Sequence, residues 1–106
     1  MRDLMGIMKQ AQAMQQKMQD VQAELDALEV EGSAGAGMVK VVMTAKGQAR
    51  SVSIDPSLMK PEEAEIVEDL VLAALNDARG KADRAAQARM EEITKGLPLP
   101  PGLKLF

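Results

Sequence analysis

Any acid–base or metal chemistry in this chain has to rest on Asp, Glu, Lys or Ser, because its 106 residues include neither His nor Cys. That absence removes imidazole bases, thiol nucleophiles, disulfides and the usual zinc ligands together. Carboxylates are densest over residues 62–69, a stretch that contains no Lys or Arg. They lack the spacing of a calcium loop and suit the positive end of a helix dipole. We expect a protein that is not an enzyme and binds no metal, cofactor or small-molecule substrate.

The glycine-rich stretch from Gly32 to Gly37 is the second candidate site, since such loops can cradle phosphates. It lacks the Gly-Lys-Ser/Thr ending of a nucleotide loop, and the residues after it have the pattern of a strand rather than a helix. A turn or a bulged strand is the better interpretation. The polar pair Asn76-Asp77 lies beside an apolar helical stripe, where we expect local or interface hydrogen bonds rather than catalysis.

Charge segregation is the strongest functional signal. The net charge is −3, yet the cations Arg2, Lys9 and Lys17 precede an acidic stretch at residues 20–31, and further cations cluster over residues 79–95. Lysine and arginine contact phosphates, and glutamine can reach base edges. The candidate DNA-binding residues are Lys9, Gln12, Gln16, Lys17, Arg79, Lys81, Arg84 and Arg89. We expect Lys46 and Lys104 to contribute less.

Phe106 is the chain's one aromatic residue, so stacking on single-stranded bases has little to build on. A nucleic-acid partner is therefore expected to be duplex, held mainly through its backbone. The alternative interpretation of the first basic segment is the solvated flank of a coiled coil.

A long amphipathic helix must position the first cations. Apolar residues recur in steps of three and four on two heptad registers: Leu4, Ala11, Met18 and Leu25, and Ile7, Met14, Val21 and Leu28. We call these eight residues the apolar seam. One helix cannot bury such a seam by itself, so the pattern predicts a helix over residues 1–29 that needs a partner.

A small antiparallel sheet of two to three strands follows, over residues 30–55. Met38 to Thr44 is rich in β-branched residues, and Lys46-Gly47-Gln48 is typical of a hairpin turn. Alternation then predicts a regular strand in which Arg50, Val52 and Ile54 share one face. Asp55-Pro56-Ser57 is expected to end the sheet as a turn.

The second helical region is predicted over residues 61–95, since proline suits a first helical position and acids follow it. Gly80 lies inside the pattern and is expected to interrupt the helix. Residues 96–106 are proline-rich and predict an extended tail. The fold class is thus α+β, in a single domain. A small sheet with open edges and an unpaired helix seam both predict a dimer.

The composition is 46% hydrophobic and 27% charged, which is typical of a folded, soluble protein. No apolar run approaches the ~20 residues of a membrane span, and the first residues lack the apolar block of a signal peptide. We expect a cytoplasmic protein with no membrane partner.

Many short segments, taken in order, resemble the YbaB/EbfC family of bacterial nucleoid-associated proteins. They are Lys9-Gln10-Ala11-Gln12, Lys17-Met18-Gln19, Leu28-Glu29-Val30, Ala34-Gly35-Ala36-Gly37, Ile54-Asp55-Pro56-Ser57-Leu58, Asn76-Asp77-Ala78 and Leu99-Pro100-Pro101-Gly102. The resemblance implies a dimer with protruding helices, located at the nucleoid, that binds DNA, alters its conformation and takes part in nucleoid organisation and gene regulation.

A rival hypothesis comes from the methionines. Met5, Met8, Met14 and Met18 could form an adaptable apolar grip, as in a coiled-coil protein-binding module or a holdase resembling prefoldin. Steep weakening of binding by salt would favour DNA, and salt-insensitive binding would favour an apolar client.

Overall fold

The computed structural model describes residues 4–95. Its elements are α1 (Leu4–Ala27), β1 (Glu29–Ala34), β2 (Val39–Thr44), β3 (Ala49–Ile54) and α2 (Ala64–Lys95), with short 3₁₀ turns at Pro56–Leu58 and Pro61–Glu63. The predicted α+β order of helix, sheet and helix is confirmed. The extended tail expected at residues 96–106 lies outside the described residues.

The sheet is antiparallel with strand order β1-β2-β3. Val41 at the centre of β2 faces Gly32 in β1 and Val52 in β3. The turn between β1 and β2 uses a left-handed backbone at Gly35, Ala36 and Gly37. Glycine accepts that conformation without steric cost, which explains the second half of the glycine-rich stretch as a hairpin turn. The first half, from Gly32 to Ala34, belongs to β1.

Helix α2 covers one face of β1 and β2. The core combines buried Val39, Val41 and Met43 with small residues of α2, of which Ala74 and Ala78 are fully buried. Any Cβ at position 32 would overlap the backbone of Ala74 and Ala78. Alanines on the helix and a glycine on β1 therefore let the helix lie unusually close to the sheet.

The predicted interruption at Gly80 is wrong, because α2 is one helix of 32 residues that runs through this glycine. Ala78 and Ala82 are fully buried on either side of it. Burial of the neighbouring turns against the rest of the fold outweighs a propensity penalty of about 1 kcal/mol.

The regular alternation predicted for β3 is also wrong at its start. Val42 pairs with Ser51 and Met43 pairs with Ala49, so Arg50 is the extra residue of a β-bulge. A bulge redirects the side chain that it carries. Val52 shares the α2 face with Val41, but it is 53% exposed because α2 does not cover β3.

Of the eight residues of the apolar seam, Val21 and Leu25 are the two that are buried, and Leu28 at its end is exposed. Val21 and Leu25 pack with Ala45 and with residues of α2 such as Met90 and Ile93. Leu4, Ile7 and Ala11 are exposed, and Met14 and Met18 are half-buried. The molecule is elongated, measuring 73 × 25 × 16 Å along its principal axes. The first half of α1 therefore projects from the body with its seam uncovered.

Candidate nucleic-acid interface

On α1 the candidate residues Lys9, Gln12 and Gln16 lie in one row, since spacings of three and four residues share a helix face. All three are exposed, and the row lies on the side of α1 away from the apolar seam. Lys17 is also exposed but lies on a neighbouring flank. The seam and the polar row can therefore serve different partners.

The polar row ends at an acidic group. The Gln16 side-chain amide donates a hydrogen bond to Asp20 Oδ1 at 3.0 Å. Lys9 and Lys17, by contrast, form no ion pair with another residue between 4 and 95. Their ammonium groups are therefore available to phosphates without breaking an ion pair to any described residue.

Three of the four candidate cations on α2 have a partner within the helix, and the first two are Arg79 and Lys81. Arg79 Nε lies 3.5 Å from Asp83 Oδ1, an exposed pair one turn apart. Lys81 Nζ lies 3.3 Å from Asp77 Oδ2 and donates a hydrogen bond to the Glu31 carbonyl oxygen at 2.8 Å. Arg79 remains available to a phosphate, because an exposed ion pair such as Arg79–Asp83 costs little free energy to break. Lys81 instead joins α2 to β1, so contact with a phosphate would compete with these two interactions.

Asp77 completes this tie. Its Oδ2 atom accepts a hydrogen bond from the Ser33 backbone N–H at 3.0 Å. That hydrogen bond, together with Lys81, holds the pKa of Asp77 below its ordinary value. Asp77 thus makes a hydrogen bond to a residue 44 positions away, rather than a local one, and this bond occupies a backbone donor on the edge strand β1.

Arg89 joins the two helices. Its Nε atom lies 3.4 Å from Glu24 Oε2 on α1, and its Nη1 atom lies 3.1 Å from Glu92 Oε2. The pair borders an open cleft of about 340 Å³ between α1 and α2. The cleft is lined by Lys17, Asp20, Val21, Glu24, Arg89, Glu92 and Ile93. The fold thus brings Lys17 and Arg89 to the same cleft. The carboxylates of Asp20, Glu24 and Glu92 line this cleft as well and offset their positive charge.

Arg84 is the α2 candidate with the greatest freedom. It is exposed and has no ion pair within the described part of the chain. Its charge reaches Asp77 only as a small contribution to the lowered pKa of that carboxyl. Among the eight candidates, Lys9, Lys17 and Arg84 are therefore the cations best placed to meet phosphates.

Sequence reasoning missed a basic group on the hairpin. Lys46 Nζ lies 3.7 Å from Asp26 Oδ1, and Arg50 Nη2 donates to the Asp26 carbonyl oxygen at 3.4 Å. The Arg79 guanidinium lies against Gly47 in the same turn. Lys46 is therefore a neighbour of Arg79 rather than a remote residue. The bulge that aims Arg50 at the end of α1 depends on strand register, which periodicity alone does not reveal.

Within residues 4–95 no group of three or more Asp or Glu side chains has a geometry that could hold a metal ion. Residues 62–69 lie at the beginning of α2 and just before it, where carboxylates complement the helix dipole. Hydrogen bonds from the Ser57 hydroxyl and then from the Ser57 backbone N–H lower the pKa of Asp55. The backbone hydrogen bond, at 2.9 Å, forms the predicted turn. None of the described helices is long and apolar enough to cross a membrane.

Comparison with solved structures identifies the same architecture elsewhere. An uncharacterised protein of Helicobacter pylori superposes with a TM-score of 0.75 at 20% sequence identity, covering 86% of this chain and 96% of that one. At this level of identity the likeness concerns the fold.

Curated relatives match over almost their whole length. The chain is 55% identical over 105 residues to a nucleoid-associated protein of Methylocella silvestris, covering 99% of this chain and 98% of the relative. It is 53% identical over 105 residues to a nucleoid-associated protein of Agrobacterium fabrum, with the same coverage. The model of the YbaB/EbfC DNA-binding family matches residues 1–97. The chain therefore belongs to the YbaB/EbfC family of DNA-binding, nucleoid-associated proteins.

Proposed function

We propose that this protein binds duplex DNA as a homodimer at the bacterial nucleoid, without enzymatic activity. In this role it alters DNA conformation and contributes to nucleoid organisation and gene regulation. The observation that carries the proposal is the family match over residues 1–97, which includes both helices that bear the candidate cations.

The charge distribution supports contact through the helices. Lys9 and Lys17 on α1, and Arg84 on α2, are exposed cations without an ion pair among the described residues. The acidic residues 62–69 lie at the opposite end of α2 from Arg84 and Arg89. DNA should therefore meet α1 and the C-terminal half of α2 and avoid the beginning of α2.

A homodimer is supported by an apolar surface beside β3. Val52 and the α2 residues Leu72 and Leu75 are exposed. Arg79, one turn after Leu75, lies against Gly47 in the β2–β3 turn, so this side of α2 is the side nearest β3. We call Val52, Leu72 and Leu75 the β3 flank. Two copies that meet through this flank would bury it and repeat the basic helices about a two-fold axis.

Dimerisation would strengthen weak DNA contacts. Each protomer offers few free cations, and the chain as a whole is acidic with a net charge of −3. Two such surfaces at a fixed separation act on one duplex through effective concentration, which raises the overall affinity without any new contact.

The central experiment is a mobility-shift or anisotropy titration of a duplex at several salt concentrations. Binding should weaken steeply with salt, by about 0.9 in log–log slope for each phosphate neutralised. Changing Lys9 and Lys17 to Glu should weaken binding to all sequences and flatten the slope, and Arg84→Glu should add to the loss.

The matched control changes Lys40 and Lys60 to Glu, which alters the net charge by the same amount. Both are exposed, and Lys60 precedes the acidic start of α2. Equal losses in the two sets would contradict the proposed surface. Lys46 is unsuitable as a control because it neighbours Arg79.

The apolar-client hypothesis is supported by the exposure of Leu4, Met5, Ile7 and Met8 on the projecting half of α1. A holdase would suppress the aggregation of an unfolded client at 0.5 M salt as well as at low salt. Absence of duplex binding together with such suppression would favour the holdase over the DNA-binding function.

A further inference from the structure

Met5 and Met8 are exposed at the start of α1, and the core does not explain them. Met5 is 72% exposed. The spacing of Met5, Lys9, Gln12 and Gln16, in steps of four, three and four, places all four on one face of α1, away from the seam. Met8 is one turn before Gln12, at the border of this face. An apolar side chain in a polar, cationic row is suited to a partner that offers both charge and apolar groups.

The shape of α1 selects the groove in which such a row can act. Every residue from 4 to 13 is exposed, so this part of α1 is accessible around its circumference. An α-helix with side chains is about 10–12 Å wide, which the major groove of B-DNA admits and the minor groove, about 6 Å wide, does not. The row from Met5 to Gln16 spans roughly 16 Å, or about five base pairs.

The chemistry of the row matches one kind of base pair. In the major groove thymine presents its C5-methyl group, and adenine presents N7 and the N6 amino group, which a Gln amide can bind bidentately. We propose, given the duplex binding proposed above, that α1 lies in the major groove and favours A·T pairs. Met5 and Met8 contact thymine methyl groups, and Gln12 contacts an adenine edge. Asp20, the next residue of the row, ends the contact because its carboxylate is repelled by phosphates.

The test removes the methyl group without changing base pairing. Two A·T-rich duplexes are compared that differ in one respect: the second has uracil in place of every thymine of the first. Wild-type protein should bind the uracil duplex more weakly, by about fourfold for each methyl group buried. Changing Met5 and Met8 together to Ala should abolish this difference while leaving the salt slope unchanged.

Met59→Ala is the matched control, since Met59 is a similarly exposed methionine, at 66%, that precedes α2. This variant should retain the thymine preference. Failure of the wild-type protein to bind either duplex would refute the proposed function itself. Equal binding of both duplexes would overturn the A·T preference and leave duplex binding intact. Loss of the dimer mass in the Met5 and Met8 variant would assign these residues to a protomer contact and also overturn the inference.

Discussion

Gly32 in β1 and Ala78 in α2 meet backbone to backbone. A Cβ at position 32 would lie 2.7 Å from the Ala78 Cα, and closer still to the Ala78 nitrogen and the Ala74 carbonyl oxygen. Backbone atoms cannot move aside as the end of a flexible side chain can. The distance between helix and sheet therefore depends on the absence of a side chain at this position.

Gly32→Ala should destabilise the fold by about 3 kcal/mol or more, because α2 has to move away from β1. Chemical denaturation monitored by circular dichroism would measure the loss. Gly6→Ala is the control, since Gly6 lies in α1 with no atom within 4 Å of an added Cβ. This control should gain up to about 1 kcal/mol through helix propensity. A harmless Gly32→Ala change would contradict the close packing of α2 on β1.

Gly80→Ala should stabilise the protein by about 1 kcal/mol, since Gly80 lies inside a continuous helix. The nearest atom to the added Cβ would be Arg84 Nη1, at an ordinary contact distance of 3.5 Å. The midpoint temperature of thermal denaturation should rise by roughly 4–8 °C for a domain of this size. DNA binding by this variant should be unchanged. Loss of DNA binding together with the higher stability would show that Gly80 serves as a hinge.

The elements that sequence predicted well are those whose pattern is local. Steps of three and four from Leu4 to Leu25 predicted α1, and the β-branched run around Val41 predicted β2. Gly80 was assigned wrongly because its helix is maintained by the burial of Ala78 and Ala82 against the rest of the fold. Packing of this kind is invisible to propensity.

The candidate site was predictable in residue type more than in arrangement. The Lys81–Asp77 and Arg79–Asp83 pairs follow from spacings of four residues on a helix. The contact between Arg89 and Glu24 joins residues from two helices and requires the tertiary fold. Such long-range pairs decide which cations are free to meet a phosphate.

Acid should weaken the link between β1 and α2. The Ser33 hydrogen bond and Lys81 lower the pKa of Asp77 in the folded protein, below an unfolded value of about 3.9. The contribution of Asp77 to stability is therefore fully present above the unfolded pKa, and it is lost as the pH falls through the folded pKa. In Asp77→Asn the free energy of unfolding should therefore fall less steeply with decreasing pH below about pH 4. Urea denaturation across the acid range would measure this dependence. Asp55, whose pKa is also lowered, should maintain part of the slope in this variant.

Lys81 and Arg84 should differ in which property their loss affects. Lys81→Met removes the donor to the Glu31 carbonyl and the partner of Asp77, so the free energy of unfolding should fall by about 1 kcal/mol. Arg84→Met should leave stability nearly unchanged and reduce the salt slope of duplex binding by about 0.9. Parallel denaturation and salt titrations would separate the two. The reverse result would exchange their structural and DNA-binding roles.

A charge on the β3 flank should dissociate the proposed homodimer. Val52→Lys places an ammonium group on the apolar surface beside Leu72 and Leu75, where the partner protomer would have to desolvate it. Light scattering should then give the monomer mass, whereas the control Met59→Lys, at another exposed apolar position, should keep the dimer mass. Because the monomer loses the second basic surface, the Val52 variant should also bind duplex DNA more weakly without any change to Lys9, Lys17 or Arg84. A wild-type protein that is monomeric at micromolar concentration would contradict the dimer. A dimer that survives Val52→Lys would instead direct attention to the uncovered seam of α1, where Ile7→Glu provides the corresponding test, since Ile7 is exposed.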